Sequence, residues 1–230
     1  LSLATFHPSE VVTRGRVLGV LAVALVLKIV AVTIGNYRSY VPPDFSTGFL
    51  EGREAYFWGA YRWAFYTHIV AGPITLLLGL WLVNDRFRMR FPKWHRRIGW
   101  TQVALILLLT TPSGLWMAWY AAAGPVAAVG LAGLAFATAA TAALGVRAAT
   151  RRRCIQHRRW MWRCYLLLCS AVVLRVLGGL GTVLGPVGPW YDPLATWLSW
   201  LAPLAAFEIR ERLREFRARS ASGIVTTPRA

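Results

Sequence analysis

Six long apolar runs, joined by short segments that are alternately rich and poor in arginine, constrain this chain more than any other feature. A helix needs roughly 20 apolar residues to cross a hydrocarbon core about 30 Å thick at about 1.5 Å rise per residue. The runs fall at 17–35, 60–83, 98–119, 126–146, 161–184 and 194–209 of the 230 residues. The last is short and follows the Gly-Pro-rich stretch 185–193. In lipid the backbone must satisfy its own hydrogen bonds, and a single apolar run does this as a helix. The expected fold is therefore all-α, a polytopic transmembrane helix bundle of about six spans.

The connecting segments give the bundle a direction. Residues 84–97 carry Arg86, Arg88, Arg90, Lys93, Arg96 and Arg97, and residues 147–163 carry Arg147, Arg151, Arg152, Arg153, Arg158, Arg159 and Arg163. The tail beyond the last run adds Arg210, Arg212, Arg214, Arg217, Arg219 and Arg229. By contrast 120–125 has no charge, 185–193 has only Asp192, and 36–59 balances its cations with Asp44, Glu51 and Glu54. With six spans drawn, every basic segment falls on one side, as the positive-inside rule requires of cytoplasmic loops. This predicts an N-in/C-in protein of the bacterial inner (cytoplasmic) membrane. Residues 1–16 form a cytoplasmic N-terminus, 17–209 one membrane domain, and 210–230 a basic tail, helical and then disordered. In that tail Glu208 and Arg212, and Glu215 and Arg219, stand at i,i+4 spacing. The run 17–35 is too long for the apolar core of a signal peptide and is expected to be the first span.

Composition agrees. Charged residues make up 15% and hydrophobic ones 57%, against about 25% charged in a soluble domain. The net charge of +17 would suit a nucleic-acid binder if the cations lined one face. They lie between apolar runs instead, so the expected partners are the bilayer, anionic lipids at the cytoplasmic face and other membrane subunits, with no nucleic acid. Many of the twelve tryptophans sit near run ends, among them Trp58 and Trp63 with Tyr56, Phe57 and Tyr61. There they are expected to form interfacial belts. Cys154, Cys164 and Cys169 make no C-x-x-C pair and are expected to be reduced structural thiols.

Ionisable groups inside a span are costly, so each one raises a functional question. Lys28, His68 and Arg175 are the three here. His68 and Arg175 fall at similar depth in the outer half, where a neutral imidazole is expected beside a charged guanidinium. A second set lies at the inner face. His95 with Arg96 and His157 with Arg158 belong to two copies of H-R-R-x-x-W, each opening an outward-going span. This short repeat suggests a duplicated helical hairpin. Two imidazoles can ligate a b-type haem iron while arginines hold its propionates, and the same groups suit a quinone head group. Alternatively the histidines hydrogen-bond helix starts and the arginines meet lipid headgroups. A second haem lacks ligands, since His7 falls in the N-terminal segment. No metal beyond that haem iron is expected.

Enzyme signatures such as H-E-x-x-H, G-x-S-x-G and the Walker loop do not occur, and the reading leans away from an enzyme, with no catalytic residue assigned. Two function classes remain. The first is a non-catalytic accessory subunit of a larger respiratory or photosynthetic membrane assembly. The second is a membrane redox protein using His95 and His157, with His68 and Arg175 added for a quinone.

The runs Tyr66-Thr67-His68-Ile69-Val70-Ala71-Gly72, Trp94-His95-Arg96-Arg97-Ile98-Gly99 and His157-Arg158-Arg159-Trp160-Met161, followed by Arg163-Cys164-Tyr165 and Leu174-Arg175, resemble a known family. It is the bacterial predicted membrane protein family, domain of unknown function 2306. The resemblance covers about 37–180, including Val41-Pro42-Pro43-Asp44-Phe45, and is most specific at H-R-R-W-M. It implies that His68, His95, His157 and Arg175 belong to a family pattern, and it implies no activity. Cys164 departs from that pattern, where a small hydroxyl residue is expected.

Overall fold

The computed structural model describes residues 8–185 and 188–221. Among them there is no strand, only an isolated bridge between Tyr40 and Pro43. The helices are α1 (Pro8–Gly35), α2 (Glu54–Leu82), α3 (Asp85–Arg90), α4 (Pro92–Trp119), α5 (Gly124–Thr150), α6 (Cys154–Leu184) and α7 (Tyr191–Ala221). The expected spans at 98–119, 126–146 and 161–184 lie inside α4, α5 and α6, and the one at 60–83 ends one residue past α2. His7 and the tail beyond residue 221 lie outside the described residues.

Among the described residues five segments are long and apolar enough to cross a membrane: Gly19–Ser39, and α2, α4, α5 and α6. The sixth expected span falls within α7, a continuous helix of 31 residues. Thr196, Trp197, Ser199, Trp200 and Pro203 dilute its apolar stretch, which explains why its composition alone does not mark it.

The chain divides into two compact units, Leu1–Tyr120 and Ala121–Ala230. In the first, α2 packs against both α1 and α4. A proline inside α2 shapes how the segment before it is held. Pro73 has no N–H, so the carbonyl four residues back, that of Ile69, has no helical donor. The Tyr37 hydroxyl donates to that carbonyl. Tyr66 likewise donates to the Tyr40 carbonyl at 2.7 Å. Asp44 accepts from the Ser46 N–H at 2.9 Å and from its hydroxyl at 2.6 Å. These two bonds hold the exposed Asp44 carboxyl below the usual range. Two hydrogen bonds thus fasten the segment 36–53 to α2, while Asp44 and Ser46 brace it internally.

Aromatic packing completes this end of the unit and corrects one expectation. Phe57, Tyr61 and Phe65 are buried with Leu50 in a core to which Tyr40, Phe45, Tyr56, Tyr66 and Tyr120 are added. A belt would leave these rings facing lipid headgroups; instead they pack against one another, Phe57 edge-on to Phe65 and Tyr56 stacked on Tyr120 with centroids 4.5 Å apart. The turn Phe57–Tyr61 is π-helical, with Gly59 outside helical φ/ψ. That turn re-aims the side chains, so Phe57 and Tyr61 face inward while Trp58 and Trp63 remain exposed at belt positions.

In the second unit glycines of α5 and α6 let large neighbours approach, as small residues do where membrane helices pack. A Cβ on Gly130 would lie 3.0 Å from the Trp197 indole nitrogen, which donates to the Val126 carbonyl at 3.1 Å. Tyr191 lies against Gly181 in the same way and donates to the Leu177 carbonyl at 2.6 Å. Gly145 receives Met161.

Candidate functional site

The two H-R-R-x-x-W copies occupy the same register. His95 lies four residues after the cap Phe91 of α4, and His157 four residues after the cap Arg153 of α6. In each case the histidine N–H closes the first turn on the cap carbonyl, at 2.9 Å. His95 and Arg96 belong to the first unit, His157 and Arg158 to the second. Both arginines are exposed and both imidazoles half-buried.

His157 has a defined hydrogen bond. Its Nδ1 lies 2.9 Å from the Gly145 carbonyl oxygen. A carbonyl only accepts, so Nδ1 carries the proton and the lone pair of the neutral ring sits on Nε2. Gly145 keeps the α5 surface flat beneath this motif, because a Cβ there would meet the Met161 sulfur at 2.5 Å.

Two of the arginines that follow His157, Arg159 and Arg163, turn to α7. Arg163 grips Glu208 with two bonds, Nε to Oε1 at 2.5 Å and Nη2 to Oε2 at 2.9 Å. Its guanidinium also lies over Trp160, 4.7 Å from the ring centroid, and 5.6 Å from that of Phe207. Arg159 reaches Glu215 at 2.5 Å and Glu211 at 3.4 Å. Carboxylates that read in sequence as partners within one helix therefore also bind across to α6.

His68 belongs to the first unit and faces Ser113 of α4, with 3.1 Å between Nδ1 and Oγ. The shorter bond takes the hydroxyl hydrogen: Ser113 donates to the Leu109 carbonyl at 2.5 Å. Nδ1–H then donates to the serine oxygen, and Nε2 is the basic nitrogen. The π-turn Ile106–Thr110 and Pro112 bring Ser113 to this position. Gly114 leaves room for the ring, since a Cβ there would stand 3.2 Å from Cε1. Extra-residue turns of this type recur at functional positions.

Reasoning from ionisable groups missed Gln102 and Thr75. Gln102 is 2% exposed and donates through Nε2 to the Thr75 carbonyl at 2.8 Å. Its Oε1 has no partner among the described residues. The available signal was a lone amide inside the apolar run 98–119. Arg175, in the second unit, is exposed and donates to the Ala171 carbonyl of its own helix at 3.0 Å. Lys28 is exposed on α1, where its stem can snorkel. Among the described residues no group of three or more His, Cys, Asp or Glu side chains could hold a metal ion.

Helices of this length and apolarity, carrying polar residues that bond from one helix to the next, define a multi-span α-helical membrane protein. Residues 65–209, more than half of the chain, match the family described as Predicted membrane protein (DUF2306), and the chain belongs to it. The match contains His68, His95, His157 and Arg175. It runs past Leu180 to residue 209, further than the motif resemblance reached, and begins after the segment 37–64. No curated protein and no solved structure matches the chain.

Proposed function

We propose that this chain is a non-catalytic accessory subunit of a larger respiratory or photosynthetic assembly in the bacterial inner membrane, with both termini in the cytoplasm. The observation that supports this reading is the use of its most distinctive motif. In H-R-R-W-M-x-R, His157 bonds α5, Arg159 and Arg163 bond α7, and Met161 packs on Gly145. Groups committed to joining helices build a scaffold. Apolar side chains such as Phe136, Val176 and Val183 remain exposed for lipid or neighbouring subunits to cover.

A second reading has its own support. With Nδ1 tied to a backbone carbonyl, His157 presents Nε2 as a ligand nitrogen, the arrangement that outer hydrogen bonds impose on metal-bound histidines. That nitrogen suits the iron of a b-type haem or the hydroxyl of a quinol, with Arg158 beside it for a propionate.

One preparation tests both. The protein is extracted from its native membrane in mild detergent, and its partners and its oxidised and dithionite-reduced spectra are recorded. A stoichiometric partner with a featureless spectrum is expected. A monodisperse lone protein overturns the subunit reading, and a Soret band with a sharp reduced α-band, lost in His157→Ala, replaces it with the haem reading.

A further inference from the structure

Where α2 turns into α4, a groove of about 360 Å³ opens among Trp81, Phe87, Phe91, Trp94 and Ile98. The sequence builds it deliberately. Asn84 caps α3 by accepting from the N–H groups of Arg86, at 2.9 Å, and Phe87, at 3.4 Å. That cap starts a helix only six residues long, which sets Phe87 towards Trp81, their ring centroids 6.1 Å apart. Phe91 then stacks obliquely on Phe87 at 5.9 Å.

The rim is cationic. The Arg90 guanidinium lies 5.7 Å from the Phe91 ring centroid and that of Arg97 5.6 Å from Trp94. At these separations a ring face holds a cation in place without consuming its hydrogen bonds. Residues 84–97 carry six cations against one carboxylate, Asp85, which Arg88 meets at 3.1 Å.

We propose that this groove holds an acyl chain of an anionic phospholipid, whose phosphate is bound by Arg90 and Arg97. Size selects against a partner helix, which is about 10 Å wide with its side chains. The volume lies near the lower end of the roughly 300–1,000 Å³ typical of small-molecule sites. Charge selects the headgroup, because the cations at the rim favour a phosphate that carries a net negative charge. Depth agrees as well: Trp81 and Ile98 lie near the ends of membrane-crossing helices, where glycerol and phosphate sit. The groove is built from residues of the first unit alone, shares none with the His157 motif, and does not depend on the function proposed above.

The full chain in neutral detergent is titrated with dibrominated phosphatidylglycerol or dibrominated phosphatidylcholine while tryptophan fluorescence is read. Bromine quenches tryptophans in contact with the chain that carries it. Saturable quenching is expected at about thirtyfold lower phosphatidylglycerol than phosphatidylcholine, the factor supplied by roughly two arginines at an anionic surface. Arg90→Gln with Arg97→Gln should remove that preference while helical circular dichroism is kept. Trp81→Phe with Trp94→Phe should remove the saturable component, and excess inorganic phosphate should not compete. Equal quenching by both lipids in the natural chain overturns the proposal. So does a preference that survives the arginine changes, or saturable quenching that survives the tryptophan changes.

Discussion

Ser113 and His68 show how a single hydroxyl can set the state of an intramembrane imidazole. The serine hydrogen goes to Leu109, so the ring must donate from Nδ1. Ser113→Ala removes that acceptor and should cost about 0.5–1.5 kcal/mol, the net worth of a neutral hydrogen bond. Ser113→Thr retains the hydroxyl and should recover much of the loss. The check is the thermal midpoint in detergent, and an unchanged midpoint in the alanine variant would refute this role. His68 and His157 were legible in the sequence because an ionisable group in or beside an apolar run is conspicuous. Their partners were not. Gly145 contributes a backbone oxygen that every residue type possesses, and Ser113 is a common residue 45 positions away from His68. Gln102 escaped because it is neutral, although it is buried more completely than either histidine.

At the scale of elements, α7 is where local reasoning was least complete. Glu208 and Glu215 have arginines one turn further on, which predicts pairs along the helix. The structure also binds these acids to α6, through Arg163 and Arg159, because tertiary packing sets a second row of cations opposite them. The two contacts should differ in strength. Arg163 is 19% exposed and its bond is bidentate, whereas Arg159 and Glu215 are 38% and 43% exposed. A double-mutant cycle of Arg163→Ala and Glu208→Ala should give a coupling of about 1–3 kcal/mol, as charged hydrogen bonds do. The same cycle on Arg159 and Glu215 should give about 0–1 kcal/mol. Equal couplings would mean that exposure does not decide. The span pattern itself was legible, because four helices need only hydropathy and length to be recognised. The inward turn of Phe57 and Tyr61 was not, since it follows from a π-turn that hydropathy does not encode.

For the whole molecule, the arrangement of basic segments predicts which face the α5–α6 turn occupies. Cys154 is exposed at that turn, while Cys164 is buried and Cys169 half-buried. A membrane-impermeant maleimide should label Cys154 in inside-out vesicles and leave it unmodified in intact cells, with Cys154→Ser as the control. Labelling from the outside would reverse the proposed orientation. The fastening of α1 bears on the order in which the protein is made. Within α1, Val26 and Val30 are buried, and the Tyr37 hydroxyl just beyond it closes on Ile69. Ile69 is synthesised 32 residues after Tyr37, so the ribosome releases the latch well before its keeper. The proline that frees the Ile69 carbonyl thus supplies the keeper of this latch: Tyr37 finds its acceptor only in a chain that already extends into the second span.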